Sequence, residues 1–225
     1  MKIIDALVSP KVIYLDLNKL NQRHLDVLFS ILGFVLCSYI VFYLHLDQAH
    51  VYRLLVSEHV VDINNKVLSA NTLDNIVPLL GLLIGVLESL IILLKILFVS
   101  LMLFFWVKFA QREGVAIPYK VTFNATIFAF VPCILIALGR VGIYFAYSNG
   151  EIPLGTSEYT SIGQLFFNGS YEPYHLYQFI NIFDIWSIAL ISQFLFQQKI
   201  YSLSKSLLIA SSFFLTLYFV FWLIV

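Results

Sequence analysis

The sequence predicts an all-α fold, a polytopic membrane helical bundle of five transmembrane helices preceded by a short N-terminal interfacial helix. Of the 225 residues 60% are hydrophobic and 12% are charged, with a mean hydropathy of +0.90. A soluble domain has about 45–50% apolar and about 25% charged residues. In addition, five apolar stretches reach the roughly 20 residues that a helix needs to cross a bilayer. These predicted spans are residues 27–46, 76–106, 121–147, 174–197 and 204–225.

The N-terminal segment, residues 1–26, precedes the membrane domain, residues 27–225. Ser9 is a favoured N-cap and Pro10 suits a first helical position, so a short helix is expected to begin there. Its apolar side chains face lipid and its charged ones face water, which predicts a helix lying on the inner membrane surface. The apolar set is Val12, Ile13, Leu17 and Leu20. An irregular tail is the alternative.

The remaining elements follow from length and composition. The second span, about 31 residues, would be about 46 Å long as a helix, against a hydrocarbon core of about 30 Å. It therefore tilts, or begins outside the membrane at Pro78. Segments 47–75 and 148–173 are polar and are expected to be external connectors. Lys and Arg number nine on the predicted inner flanks and two on the outer ones. The positive-inside rule then places the N-terminus in the cytoplasm and the C-terminus outside.

Four ionisable residues fall inside the predicted spans: Glu88, Lys95, Arg140 and Asp184. Each such group costs roughly 2.5–3.5 kcal/mol at a helix centre and normally faces a partner or a water-filled cavity. Similar depths favour a contact between Arg140 and Asp184, with Glu88 near it and Lys95 reaching toward the inner face. This candidate polar cluster either fixes the helix register or forms a proton or ion path.

Signatures of other chemistry are missing from the sequence. It contains no nucleophile elbow, zinc-protease motif, phosphate-binding loop or CxxC pair, so no enzymatic activity, cofactor or metal site is expected. Three histidines, His45, His50 and His59, lie near acids in the first outer connector, but their spacing fits no compact metal motif. The formal net charge of zero excludes a basic face for nucleic acid.

Three stretches share their pattern with one family. They are LVSPKVIYLDL, TIFAFVPCILIALG with Pro132, and FDIWSIALISQFLFQQKIYSLSKSLLIA with its Asp-x-Trp and Leu-Ser-Lys. In them the chain resembles the Yip family, the Ypt/Rab-interacting five-span membrane proteins, and in particular its bacterial branch. The family's Gly-Gly turn appears here as AQREGVAIPYK, with one glycine. The resemblance implies an integral membrane protein and, from eukaryotic members, roles in vesicle traffic and partner binding.

Together these observations predict a non-enzymatic, multi-pass protein of the inner (plasma) membrane, acting as a scaffold or adaptor in membrane organisation or trafficking. Its expected partners are membrane lipids and other membrane proteins, or further copies of itself. The alternative is a small carrier or channel that moves protons, ions or a lipid-like solute along the polar cluster. Against the carrier, five spans are few, and no broken-helix inverted repeat is evident.

Overall fold

The computed structural model describes residues 25–44, 70–110, 117–146 and 181–224, which form six helices and, within these ranges, no β-strand. The helices are α1 (Leu25–Leu44), α2 (Ala70–Ala110), α3 (Tyr119–Ala129), α4 (Cys133–Ala146), α5 (Ile182–Gln197) and α6 (Leu203–Ile224). The predicted all-α class is therefore confirmed. The expected interfacial helix, the two outer connectors and His45, His50 and His59 lie outside the described residues.

Within the described ranges, four segments are long and apolar enough to cross a membrane: α1, the apolar part of α2, α3 with α4, and α6. α5 is apolar but has 16 residues, about 24 Å, which is less than a hydrocarbon core of about 30 Å. Large apolar side chains remain exposed on the outer faces, as lipid-facing residues of a membrane bundle are. Examples are Phe29, Leu83, Leu94, Leu208 and Phe219.

Helix bounds agree with the expected spans in some places and differ in others. α1, the α3–α4 pair and α6 begin and end within two residues of the corresponding stretches. α2 has 41 residues and begins at Ala70, so Pro78 does not start it. α5, which corresponds to the predicted fourth span, begins at Ile182, whereas hydropathy places the start of that span at residue 174. Residues 174–180 lie outside the described part of the chain.

The third span is broken by Pro132. Proline has no N–H to donate and disfavours helical backbone in the residue before it. The backbone tightens here instead, because Val131, Cys133 and Ile134 each donate to the carbonyl three residues earlier, at 2.9–3.2 Å. This 3₁₀-like turn separates α3 from α4 and lets the two helices face different neighbours.

α3 and α4 lie at the centre of the bundle, and most of their residues are buried. α3 packs against α2 and α5, while α4 packs against α1. Around them α1 packs on α2, and α6 packs on α5 and α2. The largest fully buried side chains fill the space between these helices; they are Ile31, Phe42, Ile96, Leu103, Ile127, Phe130, Phe194, Phe213 and Phe214.

α1 and α2 run antiparallel and approach closely along a row of small residues. A Cβ placed on Gly81 would lie 2.6 Å from the Cβ of Tyr43, and one on Gly85 would lie 3.1 Å from the Cβ of Tyr39. One turn further, the Ser89 hydroxyl, which donates to the Gly85 carbonyl at 2.7 Å, also lies 3.3 Å from the carbonyl of Leu32. Gly81 and Gly85 form a GxxxG motif, which allows helix backbones to pack closely in membranes.

Candidate functional site

The candidate site is a set of buried polar contacts between the helices, and its first member is Asp184. This carboxylate lies in the first turn of α5, three residues after the N-cap residue Asn181. The Asn181 side chain accepts from the N–H of Phe183, and Asp184 accepts from the N–H of Asn181, both at 3.0 Å. The two residues therefore form a capping box, which satisfies N–H groups that a helix start leaves free.

The height of Asp184 in the bundle explains why the cap is needed. Lys95, Asp184 and Tyr218 lie 13 to 15 residues from the shared end of α2, α5 and α6, about 20–22 Å along the axis. That height falls inside a hydrocarbon layer about 30 Å thick. Free N–H groups at such a depth cost several kcal/mol each. The Asp184 carboxylate therefore accepts a hydrogen bond from an N–H group that would otherwise be unpaired at the start of α5.

A second bond ties Asp184 to α6. The Tyr218 hydroxyl donates to the same carboxylate oxygen that accepts from Asn181. Both side chains are buried, Asp184 being 6% exposed and Tyr218 9% exposed. The start of α5 is therefore tied to the second half of α6 by a hydrogen bond between two buried side chains.

Lys95 lies beside this pair. The Lys95 ammonium is 5.8 Å from the centroid of the Tyr218 ring, within the range of a cation–π interaction. Glu88, two turns before Lys95 on α2, is half-buried, as Lys95 is. The structure therefore brings Lys95 close to the Asp184–Tyr218 pair.

Arg140 has a separate site between α4 and α1. Its guanidinium donates to the Ser38 hydroxyl at 2.9 Å and to the Tyr39 hydroxyl at 3.0 Å. The guanidinium carbon also lies 3.7 Å from the centroid of the Tyr39 ring. Arg140 is 5% exposed, and because an arginine does not lose its proton in proteins, it needs these acceptors.

The expected Arg140–Asp184 contact is wrong. Asp184 is bound by Asn181 and Tyr218, and Arg140 by Ser38 and Tyr39. Residue spacing predicts the height of a side chain along its helix but not the direction in which it points. α4 packs on α1 and α5 packs on α6, so the two charges face different neighbours.

The sequence-based interpretation missed the residues that bind these charges. Asn181 had a readable signal, because an Asn three residues before an acid is a capping pattern. Ser38, Tyr39 and Tyr218 had none, since hydroxyl-bearing residues occur in most of the predicted spans and only packing selects among them. Within the described ranges, no group of three or more His, Cys, Asp or Glu side chains is placed to hold a metal ion.

Chemically, Asp184 accepts hydrogen bonds from a backbone N–H and a hydroxyl, Arg140 donates hydrogen bonds to two hydroxyls, and Lys95 lies half-buried beside the Asp184–Tyr218 pair. The hydroxyl bonds join α5 to α6 and α4 to α1. In comparisons with known proteins, no family model matches this chain, and no curated protein or solved structure matches it.

Proposed function

We propose that the protein is a non-enzymatic integral membrane protein that acts as a scaffold or adaptor in membrane organisation or trafficking, as the Yip resemblance implies. One observation carries the proposal: the buried side chains of Arg140 and Asp184 each bind groups of the bundle itself. Polar contacts between membrane helices commonly stabilise one helix arrangement. A fixed bundle with apolar outer faces is suited to holding lipids and other membrane proteins.

Gentle purification tests this proposal. The full-length protein, extracted in a mild detergent or in polymer-bounded discs, is expected to retain specific membrane proteins or lipids. Those partners should survive washing, and they should be absent when an unrelated membrane protein of similar size is purified in the same way. Recovery of the protein alone, together with a measurable solute flux in liposomes, would contradict the scaffold proposal.

A second candidate is a small carrier or channel for protons, ions or a lipid-like solute. It is favoured by the half-buried Lys95, which lies 5.8 Å from the ring of Tyr218, the hydroxyl partner of Asp184, and by the half-buried Glu88 two turns away on α2. Charged groups inside membrane segments often mark transport paths. In liposomes, a carrier should give a flux that Asp184→Asn abolishes while the folded fraction stays unchanged. Equal flux in protein-free and protein-containing liposomes would eliminate it.

We also propose that the protein resides in the inner (plasma) membrane, with its N-terminus in the cytoplasm and its C-terminus outside. The asymmetry of Lys and Arg along the chain supports this orientation.

A further inference from the structure

Four lysines lie together at one end of the bundle, far from the polar site. They are Lys108 in the last turn of α2, Lys120 in the first turn of α3, Lys199 after α5 and Lys205 in the first turn of α6. We propose that this end, the basic end, is a binding surface for phospholipids with anionic head groups. The inference goes beyond the scaffold proposal and does not depend on it.

The four lysines share one end because the chain connects their helices there. α2 leads into α3, and α5 leads into α6 through residues 198–202. The two pairs are joined by Tyr201, whose hydroxyl donates to the carbonyl of Trp106 at 3.4 Å. Burial raises the pKa of Tyr201, so its phenol stays neutral at physiological pH and keeps its proton for that bond.

Charge favours an anionic occupant. All four lysines are exposed, and the described residues of α2, α3, α5 and α6 at this end include no Asp or Glu. The acid nearest to it in the described ranges is the exposed Asp26, in the first turn of α1, whose start points toward the same end. Within the described part of the chain, none of the four forms an ion pair; Lys108 contacts the ring of Phe104 at 6.0 Å. Each lysine near a membrane surface strengthens the binding of anionic lipid by roughly fivefold. Four on one end should therefore favour anionic over zwitterionic lipid clearly.

The side chains around the lysines favour a lipid over a soluble anion. Phe109, next to Lys108, is 85% exposed, and Leu208, near Lys205, is 72% exposed. Trp106, Phe196 and Leu203 are exposed as well. A free phosphate has no apolar group to place against this surface. A phospholipid would place its acyl chains on it and its head group among the ammonium groups. Aromatic rings at this level are typical of a membrane interface.

The backbone at Lys199 adds a further observation. Lys199 has a φ of 54°, a left-handed conformation that favours glycine. It ends α5 in a Schellman turn, in which Ile200 donates to Leu195 at 3.2 Å and Lys199 donates to Phe196 at 3.0 Å. A lysine therefore occupies a position where glycine would be less strained, and its side chain is exposed at the basic end.

The test measures lipid binding by the full-length protein in detergent micelles. Dioleoylphosphatidylglycerol or dioleoylphosphatidylcholine is added, and the retained lipid is counted by native mass spectrometry while the Tm is followed. The wild-type protein should retain phosphatidylglycerol, gain in Tm with it, and lose the preference in 1 M salt. The K108Q/K120Q/K199Q/K205Q variant should bind phosphatidylglycerol at least 20-fold more weakly, whereas the matched all-arginine variant should bind as the wild type does.

Other outcomes would overturn the proposal. An all-glutamine variant that keeps the preference for phosphatidylglycerol would place the binding elsewhere, as would a wild type without preference. Glycerol phosphate that shifts the Tm as much as the lipid would identify the site as one for a soluble anion. If the quadruple variant fails to fold, K108Q/K120Q and K199Q/K205Q each serve instead. Full binding by both double variants would reject the proposal.

Discussion

Arg140 is a permanently charged side chain among apolar helices, and two of its N–H groups donate to hydroxyls of α1. We expect Ser38→Ala to lower the free energy of unfolding by about 1–3 kcal/mol, because it leaves a buried guanidinium N–H without its acceptor. Ser206→Ala is the matched control. Ser206 is as buried as Ser38, 0% against 1% exposed, but its hydroxyl makes no hydrogen bond within the described residues. Equal losses in detergent unfolding would contradict the assignment of Ser38.

Asp184 and Tyr218 should be coupled to each other in stability. Asp184→Ala removes both the α5 cap and the acceptor for Tyr218, whereas Tyr218→Phe removes only the donor. We therefore expect a double mutant that loses less than the sum of the single losses, by roughly 0.5–3 kcal/mol. The pair Asp184→Ala and Arg140→Gln should instead be additive, since these residues have different partners. Non-additive losses for Asp184→Ala and Arg140→Gln in chemical unfolding would contradict this and would support a contact between the two side chains.

At the scale of the element, the α1–α2 contact depends on small residues. Gly81→Ala should destabilise the protein by about 1–3 kcal/mol, because the new methyl group would lie 2.6 Å from the Cβ of Tyr43. Gly142→Ala in α4 is the control, since nothing lies within 4 Å of its Cβ position. There we expect a gain of up to about 1 kcal/mol from helix propensity. Thermal unfolding in detergent measures both, and a stabilising Gly81→Ala would reject the close packing.

Hydropathy predicts some elements better than others. Long uninterrupted apolar runs predict α1 and α6 to within two residues, because burial in lipid depends on little else. Hydropathy does not predict where α5 begins, because the capping hydrogen bonds of Asn181 and Asp184 determine that position. The charged residues were found from sequence, but their partners were not, because the rotation of each helix depends on packing against all the others. The GxxxG of α2 was readable, although the partner helix was not.

At the scale of the whole molecule, the proposed orientation predicts where each end of the chain lies. A reporter fused after Val225 should be active on the outside, and one inserted near Arg112 should be active in the cytoplasm. Two reporters provide reciprocal controls: a phosphatase that is active only outside the cytoplasm, and a fluorescent protein that is active only inside it. A cytoplasmic C-terminus would show an even number of crossings, and the short α5 would then be the first candidate for a helix that does not cross.

The length of α2 links the protein to the thickness of its bilayer. Its apolar part, Gly81–Ala110, has 30 residues, about 45 Å, whereas the average hydrocarbon layer is about 30 Å thick. Such hydrophobic mismatch is relieved by leaning or by thickening the surrounding lipid, at a modest cost for each ångström. Stability should therefore rise as lipid acyl chains lengthen from 14 to 22 carbons in reconstituted vesicles. In a cell with membranes of unequal thickness, the protein should accumulate in the thicker ones.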